Sequence, residues 1–422
     1  IFSFKLDKRF QFKDLEINSN IALDELFLSN DLDLKKFFPK LTDNFSLNNN
    51  KLSIIYKKGD FSIEGKGNIL SQNKNDYLTY LIEKKNDDLN FRTSLKITDN
   101  LLRLDFLNYQ NEKKNETLIE IEGVKYKNNN LLIKSFNLKE KKNKMNIKNT
   151  LLNNKFQVLN LDSINLNYID KDNQKNLIRL FKKNNEFFLQ GKFFNAENLI
   201  DRLLNENQNS NFLKIDNKIN VNIDNLRLDN ENNLNNFSGS LLFNQKIISA
   251  NLLGMFSKDK QLKLTIYTKG NNRITTLYMD RAEPIVKKYK FIKGFSEGIL
   301  DFYSAKTFDE SYSKIKIYDF KLKELPILTK ILTLASLQGI ADILSGEGIG
   351  FDEFEMNFKN KGSLMTIDEI YAIGPAISIL MNGYVEKNKL VSLRGTLVPA
   401  TTINKFIGCI PVLGKILVGS KT

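Results

Sequence analysis

The 422-residue chain carries 63 Lys and Arg against 49 Asp and Glu, a formal net charge of +14, and 41% of its residues are hydrophobic, with 31 Phe and 14 Tyr. That apolar content excludes wholesale disorder, and the lack of any His, with a single Cys, excludes His-based triads, His-metal sites, thiolate clusters and an intrachain disulfide. The basic residues are Lys interleaved with Asn in loop-like stretches such as 140–148 and 171–176, with no basic helix, so the scattered Lys reads first as a solvated surface, and weak attraction to anionic lipid headgroups is favoured over a nucleic-acid surface.

From the first residues the chain alternates with period two, Phe2, Phe4 and Leu6 against Ser3 and Lys5, which is the pattern of a strand with one dry face. The pattern returns at Phe91, Thr93, Leu95 and Ile97, at Leu102, Leu104 and Phe106, at Ile164, Leu166 and Tyr168, and at Ile219, Val221 and Ile223. Later copies are Leu262, Leu264 and Ile266, then Ile315 and Ile317, then Phe354, Met356 and Phe358. Clusters such as 57–60 (KKGD), 127–130 (KNNN) and 359–362 (KNKG) separate the runs and supply turn chemistry. At this spacing the chain would hold on the order of 25 to 30 strands.

Helical signals are local. Asn195 is placed to cap a helix carrying Leu199, Ile200, Leu203 and Leu204 on one face. Asp280 with Glu283 reads as a capping box, Pro284 suits the first turn, and Ile285, Val286 and Tyr289 form the buried side. The segment Leu325 to Leu344 is apolar on two stripes, one of Leu328, Ile331, Leu332 and Ala335, the other of Leu334, Leu337, Ala341 and Leu344. It is expected to end the sheet, buried between two apolar surfaces or touching lipid. Gly346, Gly348 and Gly350 lack phosphate-loop spacing and read as the helix stop. No stretch reaches the length of a spanning helix.

The fold expected is mainly β: a long antiparallel sheet curled into an apolar groove, with a few short helices toward the C-terminal end. Residues 1–279 form the repetitive groove, and 280–422 a distinct C-terminal region with the helix 325–344. The groove would be lined by Phe91, Leu95, Leu104, Leu166, Ile219, Val221, Ile223, Leu264, Ile317, Met356 and Phe358, with Asn165 and Asn167 facing outward. A flat sheet this large would expose too much apolar surface, so it must curl, pair or be filled. Carboxylates are dispersed without a ligand-like run, so no catalytic residue, metal or cofactor is expected.

Four motifs in order, 324–351 (ELPILTKILTLASLQGIADILSGEGIGF), 372–376 (AIGPA), 393–400 (LRGTLVPA) and 410–419 (IPVLGKILVG), make the last third similar to the C-terminal region of the AsmA-like family, closest to its YhdP branch. The first two thirds resemble that family only in their repeated amphipathic strands. The resemblance implies a protein of the bacterial periplasm anchored in the inner membrane. Its β-groove would carry phospholipid acyl chains toward the outer membrane, or help to keep that membrane intact. Partners implied are phospholipid acyl chains and proteins of the two membranes. Starting at Ile1 and ending just after an apolar run, the chain reads as part of a longer protein whose anchor lies upstream. A structural or assembly role through exposed strand edges is the alternative, and a carboxylate-based glycan hydrolase a third.

Overall fold

A computed structural model describes residues 1–6, 8–9, 12–29, 34–35, 37–42, 44–204, 217–244, 246–287, 294–323, 348–386 and 390–399. The strands are β1 (Phe2–Leu6), β2 (Phe12–Ser29), β3 (Asn44–Lys57), β4 (Asp60–Leu70), β5 (Asn75–Lys85), β6 (Asp88–Ile97), β7 (Arg103–Leu104), β8 (Tyr109–Gln110), β9 (Thr117–Lys125), β10 (Leu131–Glu140), β11 (Asn143–Leu152), β12 (Val158–Asn160), β13 (Ser163–Ile169), β14 (Lys175–Lys183), β15 (Glu186–Asn195) and β16 (Lys218–Arg227). They continue as β17 (Asn233–Asn244), β18 (Lys246–Met255), β19 (Gln261–Lys269), β20 (Asn272–Met279), β21 (Phe295–Thr307), β22 (Glu310–Leu322), β23 (Ile349–Lys361), β24 (Leu364–Ile373), β25 (Ile377–Glu386) and β26 (Leu390–Pro399). Two helices are described, α1 (Glu197–Leu204) and α2 (Glu283–Val286).

The protein is nearly all β, with 24 strands in one open, mixed sheet and β7 and β8 in a separate ladder. Among the described residues the sheet does not close into a barrel, so strand pairing does not establish a curled groove. The chain divides into two compact units, Ile1–Asn230 with Leu242–Lys246 and Glu231–Leu241 with Ile247–Thr422.

In the first unit neighbours pair antiparallel with one exception to the expected meander: β15 and β16 run parallel, Phe187 opposite Ile219 and Gly191 opposite Ile223. A parallel partner cannot follow through a hairpin, and 22 residues, 196–217, connect the two strands. Several other links are two-residue turns whose φ values are both positive: Lys58 and Gly59, Asn86 and Asp87, and Asn184 and Asn185. Such turns match the strand twist, which is why Lys-, Asn- and Gly-rich clusters sit there.

In the first unit the longest connection between antiparallel neighbours, 98–116 between β6 and β9, lies at the end of the strands opposite the 58–59, 86–87 and 184–185 turns, although the two-residue β10–β11 turn, 141–142, lies at that end too. In the second unit the tight end holds 270–271, 308–309 and 362–363, and the far end holds 256–260 and the α2 segment. Pro284 lies in the first turn of α2 as expected, and Val286 is buried. Asp280 is not its cap, because its carboxylate already accepts the Gln261 amide at 2.7 Å and the Tyr278 hydroxyl at 2.6 Å. Glu283 reaches instead to the Glu297 amide at 2.7 Å. Asn195 does serve α1, its Oδ1 accepting the Glu197 amide at 3.3 Å, but Leu199 is exposed rather than buried. The segment 325–344 with Leu328, Ile331, Leu332, Leu334, Leu337 and Leu344, and Tyr289 and Cys409, lie outside the described residues.

Candidate functional site

Side chains of a strand alternate between faces, so the ladder registers decide which residues share one. In the first unit Ile82 faces Phe91, Leu78 faces Leu95, and Leu95 faces Ile119. The row continues through Leu138, Met145, Leu166 and Ile178 to Gly191 and Ile223. A second row runs from Thr93 through Ile121, Phe136, Ile147, Ile164, Leu180 and Leu189 to Val221. One face is thus apolar across nine successive strands, from β5 to β16. Phe91, Leu95, Leu166, Ile219, Val221 and Ile223 all lie on it.

A like face exists in the second unit. Leu252 faces Leu264, Leu264 faces Leu277, and the row passes through Phe302, Ile315, Met356 and Ile370 to Met381. Ile317 and Phe358 belong to the same face, so Leu264, Ile317, Met356 and Phe358 come together. At its far end Phe295, Phe320 and Phe351 stack with centroids 5.4 and 5.2 Å apart.

Leu104 departs from expectation. It pairs with Tyr109 in the small β7–β8 ladder, followed by a 3-10 turn, Asp105–Leu107, that ends on Asn108 at φ 52°. The alternation of Leu102, Leu104 and Phe106 marks not a sheet strand but the insert 98–116 between β6 and β9.

This insert is held against the far end of the apolar face. Tyr109 and Tyr168 are fully buried edge to face, centroids 6.0 Å apart. Tyr109 donates its hydroxyl to Glu140 Oε2 at 2.7 Å, and Tyr168 donates to the Leu107 carbonyl at 2.9 Å. Burial, and for Tyr109 also the Glu140 carboxylate, pushes both phenols well above their ordinary range. Glu140, 1% exposed, also accepts the Glu112 amide at 2.7 Å and Asn143 Nδ2 at 3.1 Å. Asp170 gathers Asn195 Nδ2 at 2.8 Å and Asn176 Nδ2 at 3.2 Å, while Asn198 of α1 donates to the Asp105 carbonyl at 2.8 Å.

Burial therefore grades along the strands from β5 to β14, whereas on β15 and β16 Phe187, Ile219 and Val221 are buried at the tight-turn end as well. Near the insert Ile97, Ile119, Leu138, Met145 and Ile178 are buried. Toward the tight-turn end Phe91, Ile121, Phe136, Ile147, Ile164, Leu180 and Leu189 are only half-buried. Sequence alternation locates these positions but says nothing of the insert, whose hydrogen-bond partners Glu140, Tyr168 and Asn198 lie far along the chain.

The reverse face is polar. Asn165 and Asn167 lie on it, away from Leu166, within a depression of about 590 Å³ shared with Lys144, Arg179, Gln190 and Asp224. Another depression of about 890 Å³ is bordered by Lys51, Glu64, Lys66, Arg92, Glu120 and Glu122. Its charges pair among themselves and with neighbours, Arg92 with Glu122 at 3.3 Å and Glu120 with Lys139 at 3.1 Å. In the second unit Glu355 meets Lys314 at 2.7 Å and Lys316 at 2.9 Å. Burial raises the Glu355 carboxyl, but the hydrogen bonds from Lys314, Lys316 and Asn357 outweigh it and hold the pKa at about 2. These are cross-strand pairs that neutralise a sheet face.

Among the described residues no group of three or more His, Cys, Asp or Glu is placed to hold a metal ion, and no helix is long and apolar enough to cross a membrane. What the apolar faces offer chemically is solvation of hydrocarbon. Comparison with known protein families, with curated proteins and with solved structures finds no match.

Proposed function

We propose that this chain is a non-enzymatic envelope protein that binds phospholipid acyl chains on its apolar sheet faces, and carries or shields them between the inner and outer membranes. The observation that carries the reading is the half-buried apolar band of the first unit. Eight strands, β5 to β15, at about 4.8 Å and a half-buried length of about five residues span a footprint on the order of 600 Å², as large as the largest apolar patches of monomers. Water makes such a band costly, whereas acyl chains cover it without needing a single polar partner. The AsmA-like motifs of the last third support the periplasmic location and the inner-membrane anchor. Passive solvation also needs no catalytic group, so single Asp or Glu substitutions are expected to alter stability or nothing.

The test is transfer of fluorescent phospholipid from donor to acceptor vesicles. Added protein is expected to accelerate it, and charged substitutions on the apolar band to abolish the acceleration. No acceleration with folded protein would count against the reading. An assembly role is the alternative, favoured by β26, which pairs among the described residues only with β25 and exposes Leu390, Val391 and Leu393. Stable capture of an envelope protein without lipid would favour it.

A further inference from the structure

The two ends of the apolar face in the first unit are chemically different. At the insert end the residues on this face are Asp76, Thr117, Glu140, Asn143 and Asn176, acids and neutral polar groups, all but Asn143 buried. Glu140 and Asn176 are engaged in hydrogen bonds there, and Asp76 accepts Asn100 Nδ2 at 2.8 Å. A phosphate placed among them would meet buried carboxylates and would have to displace the Tyr109 and Tyr168 contacts.

At the tight-turn end the same alternation brings lysines onto this face. Lys84 follows Ile82 and pairs in register with Leu89, Leu89 pairs with Lys125, and Lys182 follows Leu180 and pairs with Phe187. Lys125 is exposed and has no ion-pair partner among the described residues. Lys84 meets Asp87 at 3.3 Å, but that carboxylate is shared with Lys127 at 3.0 Å, so one acid serves two ammonium groups. Lys182 contacts the neutral Asn160 Oδ1 at 3.3 Å and lies 5.9 Å from the centroid of the Phe187 ring. Two strand spacings separate Lys84 from Lys125, about 10 Å, within reach of one headgroup for long side chains. Between the lysines and the insert lie the half-buried rows.

Building on the lipid reading above, we propose that this face is a one-ended site for a lipid with an anionic, phosphate-bearing headgroup. The acyl chains run along the strands toward the 98–116 insert, which stops them, and the headgroup rests at Lys84 and Lys125, with Lys182 marking a neighbouring position along the same end.

Two photoreactive phosphatidylglycerols test this on the whole chain, one with a diazirine at the methyl end of an acyl chain and one with a diazirine on the headgroup, the adducts being mapped by peptide mass spectrometry. The tail probe is expected to label 98–116 and 136–147, and the head probe 82–90 and 123–131. The reverse pattern, or uniform labelling by both, would overturn the orientation while leaving lipid binding intact. No labelling by either, with no lipid retained, would remove the lipid reading itself. Lys84→Glu with Lys125→Glu supplies a second readout, since both side chains reach solvent and folding of the variant is checked by circular dichroism. Capture of phosphatidylglycerol is expected to fall about fivefold or more relative to phosphatidylcholine. Equal capture ratios in variant and wild type would contradict headgroup recognition by these lysines.

Discussion

Glu140 shows what a buried carboxylate needs in this fold. It is 1% exposed and accepts from Tyr109, the Glu112 amide and Asn143, so its lone pairs are satisfied by donors from the insert and the start of β11. Glu140→Ala leaves those donors buried without partners and is expected to cost about 3 kcal/mol or more, against about 1 kcal/mol for Tyr109→Phe, as read from urea unfolding. Glu355 offers a pH test. Its folded pKa of about 2 lies well below the ordinary glutamate range, so its stabilisation is present above that range and fades as the pH falls toward 2. With its side chain 18% exposed, solvent screening limits the effect to about 1 kcal/mol. Between pH 6 and pH 2.5 the stability difference between wild type and Glu355→Gln should shrink toward zero. A difference independent of pH would show that Glu355 is not held ionised by its lysines.

Strands set their own limits on substitution. Gly123 pairs with Phe91 and Ile133, and a Cβ there would lie 2.5 Å from the Leu132 carbonyl oxygen and 2.6 Å from the Phe91 ring. Gly123→Ala must therefore shift the β9–β10 ladder, and a loss of about 1 to 3 kcal/mol is expected in denaturant melts. Period-two alternation made the strands legible: 26 are described, and ten of the eleven lining candidates fall on the apolar face of their own unit. Leu104 failed because three alternating residues fit a short ladder and a 3-10 turn as well as a sheet strand. The parallel β15–β16 pair was invisible, since alternation carries no strand direction. Asp280 misled because a capping-box spacing cannot reveal that the carboxylate is already taken by Gln261 and Tyr278. Of the candidate site, the apolar rows were readable and the insert was not, because Tyr109, Glu140 and Tyr168 are far apart in the chain and are brought together only by the sheet.

On the scale of the molecule, the apolar faces pose one energetic question: what keeps water off them. The burial gradient sorts substitutions into two kinds. Leu138→Asp, next to the insert, buries an unpaired charge and is expected to cost several kcal/mol, about enough to unfold the unit. Ile121→Asp and Ile164→Asp fall in the half-buried rows, where the charge reaches water, so each variant should fold and yet lose hydrocarbon binding. Native mass spectrometry of the chain purified from bacterial membranes without harsh detergent separates these outcomes. The wild type should carry phospholipid, and folded Ile121→Asp/Ile164→Asp protein should carry none. Wild-type protein that is folded, free of lipid and unable to take it up from vesicles would contradict the lipid-binding face.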